Sequence, residues 1–295
     1  MFLERFIQYI QYEKRYSKHT VAAYQNDLEQ FFAHAGHPDH PVNQPSDVTH
    51  HHIRNWVVSM MDDKLAARSI NRKISVLRKY FKFLMKEGLA EGNPAAKVQT
   101  PKVPKQLPVI VEDEKLSKLL DSPVFTSDFK GTRDRLVMEL LFGTGIRLSE
   151  LIGLTENSID LYEGTIKVLG KRNKERIIPI NKELKRALAE YGELKKNKNF
   201  DNNSLMLIVT NKGAEAYPKM IYLIVRRYLS EISTQEKKSP HVLRHTFATS
   251  LLNKGADLNA IKELLGHANL SATQIYTHNS VERLKSIYKQ AHPKA

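Results

Sequence analysis

The 295 residues include no cysteine, which excludes disulfides and thiolate metal sites and fits a reducing, cytoplasmic setting. No apolar run is long enough to cross a bilayer. The N-terminus, Met1-Phe2-Leu3-Glu4-Arg5-Phe6, carries an acid where a secretory leader needs an uninterrupted apolar stretch, so neither membrane insertion nor export is expected. Acid is the other scarce commodity. The 32 Asp and Glu stand against 46 Lys and Arg, a formal net charge of +14. Such an excess predicts a polyanionic partner, with nucleic acid the first candidate and membrane surfaces or acidic polysaccharides behind it.

Strand signals are nearly missing from the first hundred residues. Val21, Tyr24, Leu28, Phe31 and Phe32 recur at helical spacing and predict a packed helix. His50, His51 and His52 follow Thr49, a candidate N-cap. Consecutive residues point to different sides of a helix, so the three histidines read as a helix start and no metal site is expected. Acid then disappears from residues 64–86, where eight positions are Lys or Arg. There Ile70, Ile74, Leu77, Phe81 and Leu84 form one apolar stripe. Arg68, Arg72, Lys79, Lys82 and Lys86 supply a cationic ridge suited to tracking phosphates. Gly92-Asn93-Pro94 closes this part, and Pro101, Pro104 and Pro108 keep the following stretch extended. The expected organisation is a helical DNA-binding domain at 1–98, a basic linker at 99–109 and a second domain at 110–280. Residues 281–295 form an amphipathic basic tail with Leu284, Ile287 and Tyr288 at helical spacing. The tail folds back on its own domain or docks on a neighbouring copy. Two domains joined by such a linker can close as a clamp around a rod-shaped ligand.

In the second part, residues 132–142 read as a buried helix broken by Gly143-Thr144-Gly145. Arg147 stands on the turn that follows, where it either pairs with Glu150 or faces a ligand. Residues 164–169 and 176–180 predict a β-hairpin whose charged tip carries Lys171, a proton donor in a groove or an ordinary solvated lysine. Leu205 to Thr210 suggests a further short strand, and Met220 to Ile232 a helix. Ser239, a candidate capping side chain, and Pro240 then start a helix with His241, Arg244 and His245 in its first turns; either an anion is the ligand there or the helix is simply amphipathic and its histidines are ordinary polar residues. Asp257 caps another helix that Gly266 ends, with His267 directly after the stop. Ser271 is placed to cap a last short helix carrying Tyr276 and His278.

Five separated pieces now stand in order: Gly143 to Leu151, Gly170-Lys171, His241-Val242-Leu243-Arg244-His245, Leu264-Leu265-Gly266-His267 and Thr273-Gln274-Ile275-Tyr276-Thr277-His278. Together they closely resemble the tyrosine recombinase (phage-integrase) family, and within it the Xer type. The resemblance extends over the whole chain, with residues 1–98 similar to that family's helical core-binding domain. It departs at Arg172, where Xer proteins commonly carry a second glycine. The fold it implies is mainly α with a small β-sheet: a helical core-binding domain and a catalytic domain forming a clamp around DNA. By resemblance Arg147 and Arg244 are the paired arginines, Lys171 the hairpin lysine, His241 and His267 the two histidines, and Tyr276 the nucleophile. Only the resemblance selects Tyr276 from 12 tyrosines.

The implied reaction cuts and rejoins DNA through a 3′-phosphotyrosyl enzyme and a Holliday junction, with no cofactor or metal. Its implied setting is chromosome dimer resolution at cell division. The implied partners are double-stranded DNA with a short inverted repeat, a homo- or heterotetramer with a related recombinase, and a DNA translocase as activator. Integration of a mobile element, a type IB topoisomerase and a non-catalytic DNA-binding factor are the alternative readings.

Overall fold

The computed structural model describes residues 2–36, 42, 44–104, 109–170, 174–198, 200, 204–266 and 278–292. The chain divides into two compact units, Met1–Gln106 and Leu107–Ala295.

The first unit is helical among its described residues. Helix α1 (Leu3–Gln8) runs into a π-helical turn, followed by α2 (Lys18–Ala35), α3 (His50–Asp62) and α4 (Ala67–Lys86). Ser17 caps α2 by accepting the Thr20 backbone N–H, and Thr49 occupies the N-cap of α3. The apolar stripe of α4 is buried as its spacing predicts, with Ile70, Ile74, Leu77, Phe81 and Leu84 packed against α1, α2 and α3. Each such large side chain removed from water contributes about 2 kcal/mol. One charged cluster interrupts this apolar seam. Asp27 of α2 is buried and paired with the Arg72 guanidinium and with Lys73 Nζ at 2.9 Å.

The second unit is organised around α6 (Phe129–Thr144), which follows α5 (Asp113–Leu120). Helix α6 is buried nearly all round, because it packs against α5, α7, α8, α9 and α10. It ends at Gly145, whose φ of +60° is left-handed. A Cβ at Gly145 would collide with the Phe247 ring, so this turn requires glycine on two counts. The short helix α7 (Leu148–Ile152) restarts the chain. Strands β1 (Ile159–Asp160), β2 (Thr165–Leu169) and β3 (Glu175–Pro179) form an antiparallel sheet in that order. Ile166 lies opposite Ile178 and Val168 opposite Arg176, and all four are buried. Helices α8 (Lys182–Asn197), α9 (Pro218–Ile232), α10 (Pro240–Asn253), α11 (Leu258–Leu265) and α12 (His278–Ala291) complete the unit.

Two expectations need correcting. Leu205 to Thr210 is no strand. Met206 and Val209 make only isolated bridges to Thr155 and Glu215, because the segment is anchored point by point, with Lys195 Nζ taking the Met206 carbonyl at 2.6 Å. At the start of α10, Ser239 holds the N-cap position, but its carbonyl accepts the Val242 N–H at 2.9 Å and its hydroxyl makes no capping bond. In the tail, Leu284 and Tyr288 of α12 are buried, and the Tyr288 hydroxyl donates to the Gly143 carbonyl at 2.8 Å.

Candidate active site

Helix α11 ends in the left-handed Gly266, as an αL-capped helix does, and its terminal carbonyls are left without intrahelical partners. Three consecutive carbonyls there meet three arginines from three other elements. Arg176 Nε of β3 donates to Leu264 O at 2.8 Å, Arg244 of α10 donates to Leu265 O at 2.6 Å, and Arg147 at the start of α7 donates to Gly266 O at 3.0 Å. The negative end of the helix dipole favours cations at this point. Arg244 spends a second donor on the Gly145 carbonyl at 2.6 Å, tying α10 to the turn after α6.

One carboxylate joins the arginines from below. Glu150 Oε1 accepts from Arg147 at 2.7 Å and Arg176 at 3.0 Å, and Oε2 accepts from Arg176 at 2.8 Å and from the Arg147 backbone N–H at 2.7 Å. Burial pushes this carboxyl up, but the Arg176 guanidinium and then Arg147 outweigh it, and Glu150 is held down at about 2. Burial first, then the neighbouring Arg147 and Arg176, draws the Arg244 guanidinium down to about 10, still charged at neutral pH. Three guanidiniums against one carboxylate leave a cationic excess. It is graded by depth: Arg176 and Arg244 are 4% and 9% exposed, and the Arg147 side chain 32%. A guanidinium has five N–H donors, so Arg147 keeps donors for an anion after its contacts to Glu150 and Gly266. The ion pair with Glu150 and a ligand-facing Arg147 are therefore compatible.

His241 lies on α10, one turn before Arg244, and is exposed. Lys171, His267 and Tyr276 lie outside the described residues. The residues before two of them are described: Gly170, before Lys171, donates its N–H to Lys174 O at 2.7 Å to close the hairpin, and Gly266 stands before His267; in sequence Tyr276 falls between α11 and α12. Among the described residues no cluster of His, Asp or Glu could hold a metal ion, and no helix is long and apolar enough to cross a membrane.

Two members of the site were missed from sequence. The sequence reading passes over Arg176, although an arginine two positions from Ile178, on the same inward face of a strand, is a signal, since strand residues alternate faces. Glu150 was seen only as a partner for Arg147.

On the first unit, Arg68, Arg72, Lys79, Lys82 and Lys86 are all exposed. Arg72 is nonetheless forked onto buried Asp27. Lys79 donates to the Tyr24 hydroxyl at 2.6 Å and lies 5.3 Å from the Tyr16 ring centroid, and that hydrogen bond holds its ammonium above the ordinary lysine value.

Residues 111–283 match the phage integrase family and residues 3–88 the phage integrase N-terminal SAM-like domain. The chain is 38% identical to a tyrosine recombinase XerC of Oceanobacillus iheyensis, covering 100% of this chain and 97% of that protein. It is 36% identical to a tyrosine recombinase XerC of Chlorobaculum tepidum, covering 99% and 94%. Its fold is that of the XerH site-specific recombinase bound to palindromic difH substrate, with a TM-score of 0.70, 22% identity and coverage of 96% and 82%. The Tn1549 transposon integrase in complex with a circular intermediate DNA shares the fold, with a TM-score of 0.69, 21% identity and coverage of 95% and 97%. The chain belongs to the phage integrase family, the tyrosine recombinases, enzymes that cleave and rejoin DNA.

Proposed function

We propose that this chain is a site-specific recombinase that opens DNA by attack of the Tyr276 hydroxyl on a backbone phosphorus. The observation that carries the reading is the convergence of Arg147 and Arg244 on the end of α11, with more positive charge than Glu150 balances. A phosphodiester gathers charge on its non-bridging oxygens as a nucleophile approaches, and forked guanidiniums answer that charge without rearranging. In the reaction the phosphorus–oxygen bond to Tyr276 forms while the bond to the 5′ oxygen breaks. The phenol, with an ordinary pKa of about 10, gives its proton to His241, and Lys171 protonates the departing 5′ oxygen. His267 steadies the phosphate. The 3′-phosphotyrosyl bond conserves the energy of the broken linkage, so a 5′ hydroxyl from another strand can reverse the step.

The substrate is double-stranded DNA carrying a short inverted repeat. Four protomers, alike or paired with a related recombinase, exchange strands through a Holliday junction, and a DNA translocase activates them. The Xer resemblance supports chromosome dimer resolution at cell division as the biological role, and the cytoplasm as its place. Residues 1–98 and residues 110–280 each contact the duplex. The test is to incubate the protein with nicked, fragmented genomic DNA, denature in SDS and sequence the protein-linked fragments beside Tyr276→Phe. Adducts on one inverted repeat, lost in the variant, are expected. Adducts scattered over all sequences would refute site specificity in favour of a topoisomerase. DNA binding without any adduct, even with host extract added, would refute catalysis.

A further inference from the structure

Arg176 has no part in the reaction as proposed, yet it is the most deeply buried of the three arginines. All three of its nitrogens are committed: Nε to Leu264 O at 2.8 Å and the two terminal nitrogens to Glu150 at 3.0 and 2.8 Å. Two glycines lean on this pair. A Cβ on Gly266 would lie 3.1–3.4 Å from Arg176 Cδ, Nη1 and Cζ, and a Cβ on Gly170 would lie 3.6 Å from both Arg176 Nη1 and Glu150 Oε1. Gly170 immediately precedes Lys171, and Gly266 immediately precedes His267. Through Glu150 the same guanidinium orients Arg147, and through the last turn of α11 it shares a support with Arg244.

We propose that Arg176 is a positioning residue that sets the aim of Arg147 and Arg244 by bracing Glu150, Gly170 and the end of α11 with one rigid fork. This rests on the recombinase reading above. A planar guanidinium can hold a carboxylate bidentately while its Nε reaches a carbonyl in the same plane. An ammonium can do only part of this, so lysine preserves the charge and loses the brace.

The full-length protein is tested on a nicked duplex carrying the site recovered from wild-type adducts. One version has an ordinary phosphodiester at the scissile position, and the other a methylphosphonate, which lacks one of the charges the arginines answer. Arg176→Lys is expected to bind the duplex with a Kd within about twofold of wild type and to form the adduct about 100-fold more slowly, because small misplacements of positioned groups cost that much. On the methylphosphonate the deficit should shrink to about tenfold or less, as it should for Arg147→Lys, since less charge remains to be answered. Arg176→Gln, uncharged and shorter, is the second variant and should follow the same pattern, with thermal unfolding recorded for both. Equal deficits on the two substrates, no deficit on either, or loss of folding in both variants would overturn the positioning role and leave Arg176 a structural strut. Failure of the wild type to form any adduct would instead overturn the recombinase reading, and with it this one.

Discussion

Replacing Glu150 by glutamine changes almost no volume and removes one charge, and the structure sets the size of the effect. The carboxylate accepts four hydrogen bonds, two on each oxygen, from Arg147 and Arg176. Glutamine keeps one oxygen and turns an NH₂ toward the other two donors, so two charge-assisted bonds are lost at about 1.5–3 kcal/mol each. Breaking a buried ion pair by removing one partner costs about 3–5 kcal/mol, which brackets the same value. At about 4 kcal/mol, the unfolding temperature of a unit of this size falls by about 8–16 °C.

Urea unfolding at several pH values gives a second handle. The Glu150 carboxyl is held at about 2, below its ordinary 4.5. A depressed carboxylate contributes its stabilisation in full above the ordinary value and loses it as pH falls toward the folded one. The gap between wild type and Glu150→Gln should therefore be constant from pH 7 to about 5 and narrow below about 4.5. A gap under about 1 kcal/mol at pH 7, the size of an exposed pair, would refute the account of Glu150 as the buried counter-charge. So would a gap that persists undiminished to pH 3.

Gly145→Ala must adopt a left-handed φ at about 1–2 kcal/mol and push against Phe247 at about 1–3 kcal/mol more, so chemical denaturation should register a loss of about 2–5 kcal/mol. Because the Gly145 carbonyl anchors Arg244, adduct formation should slow even where the variant is fully folded. Lys82→Gln and Lys86→Gln should each make the slope of log Kd against log salt shallower by about one, as loss of one phosphate contact does, and an unchanged slope would place the contacts elsewhere.

The sequence by itself determined the helical first unit, the buried stripe of α4, the hairpin and the capped ends of α2 and α11. Each follows from local chemistry: apolar residues every three or four positions, a side-chain oxygen before a helix, glycine where φ turns positive. The motifs around Arg147 and Arg244 were also legible, because they stand in the order and with the residue types of the family they resemble. What lay beyond it was long-range. Arg244 meets Gly145 across 99 residues and Arg147 meets Gly266 across 119, and no local periodicity encodes such pairs. Tertiary packing alone decided that the carbonyls of Leu264, Leu265 and Gly266 at the end of α11 receive three arginines, that Glu150 serves two of them, and that Arg176 lies inside rather than on a charged strand. It likewise turned Arg72 toward Asp27, left Leu205 to Thr210 without strand partners, and buried Leu284 and Tyr288 of the tail. The physical reason is the same in each case. A buried polar group must find a partner wherever the fold provides one, and that partner is chosen by the distance between elements in space rather than along the chain.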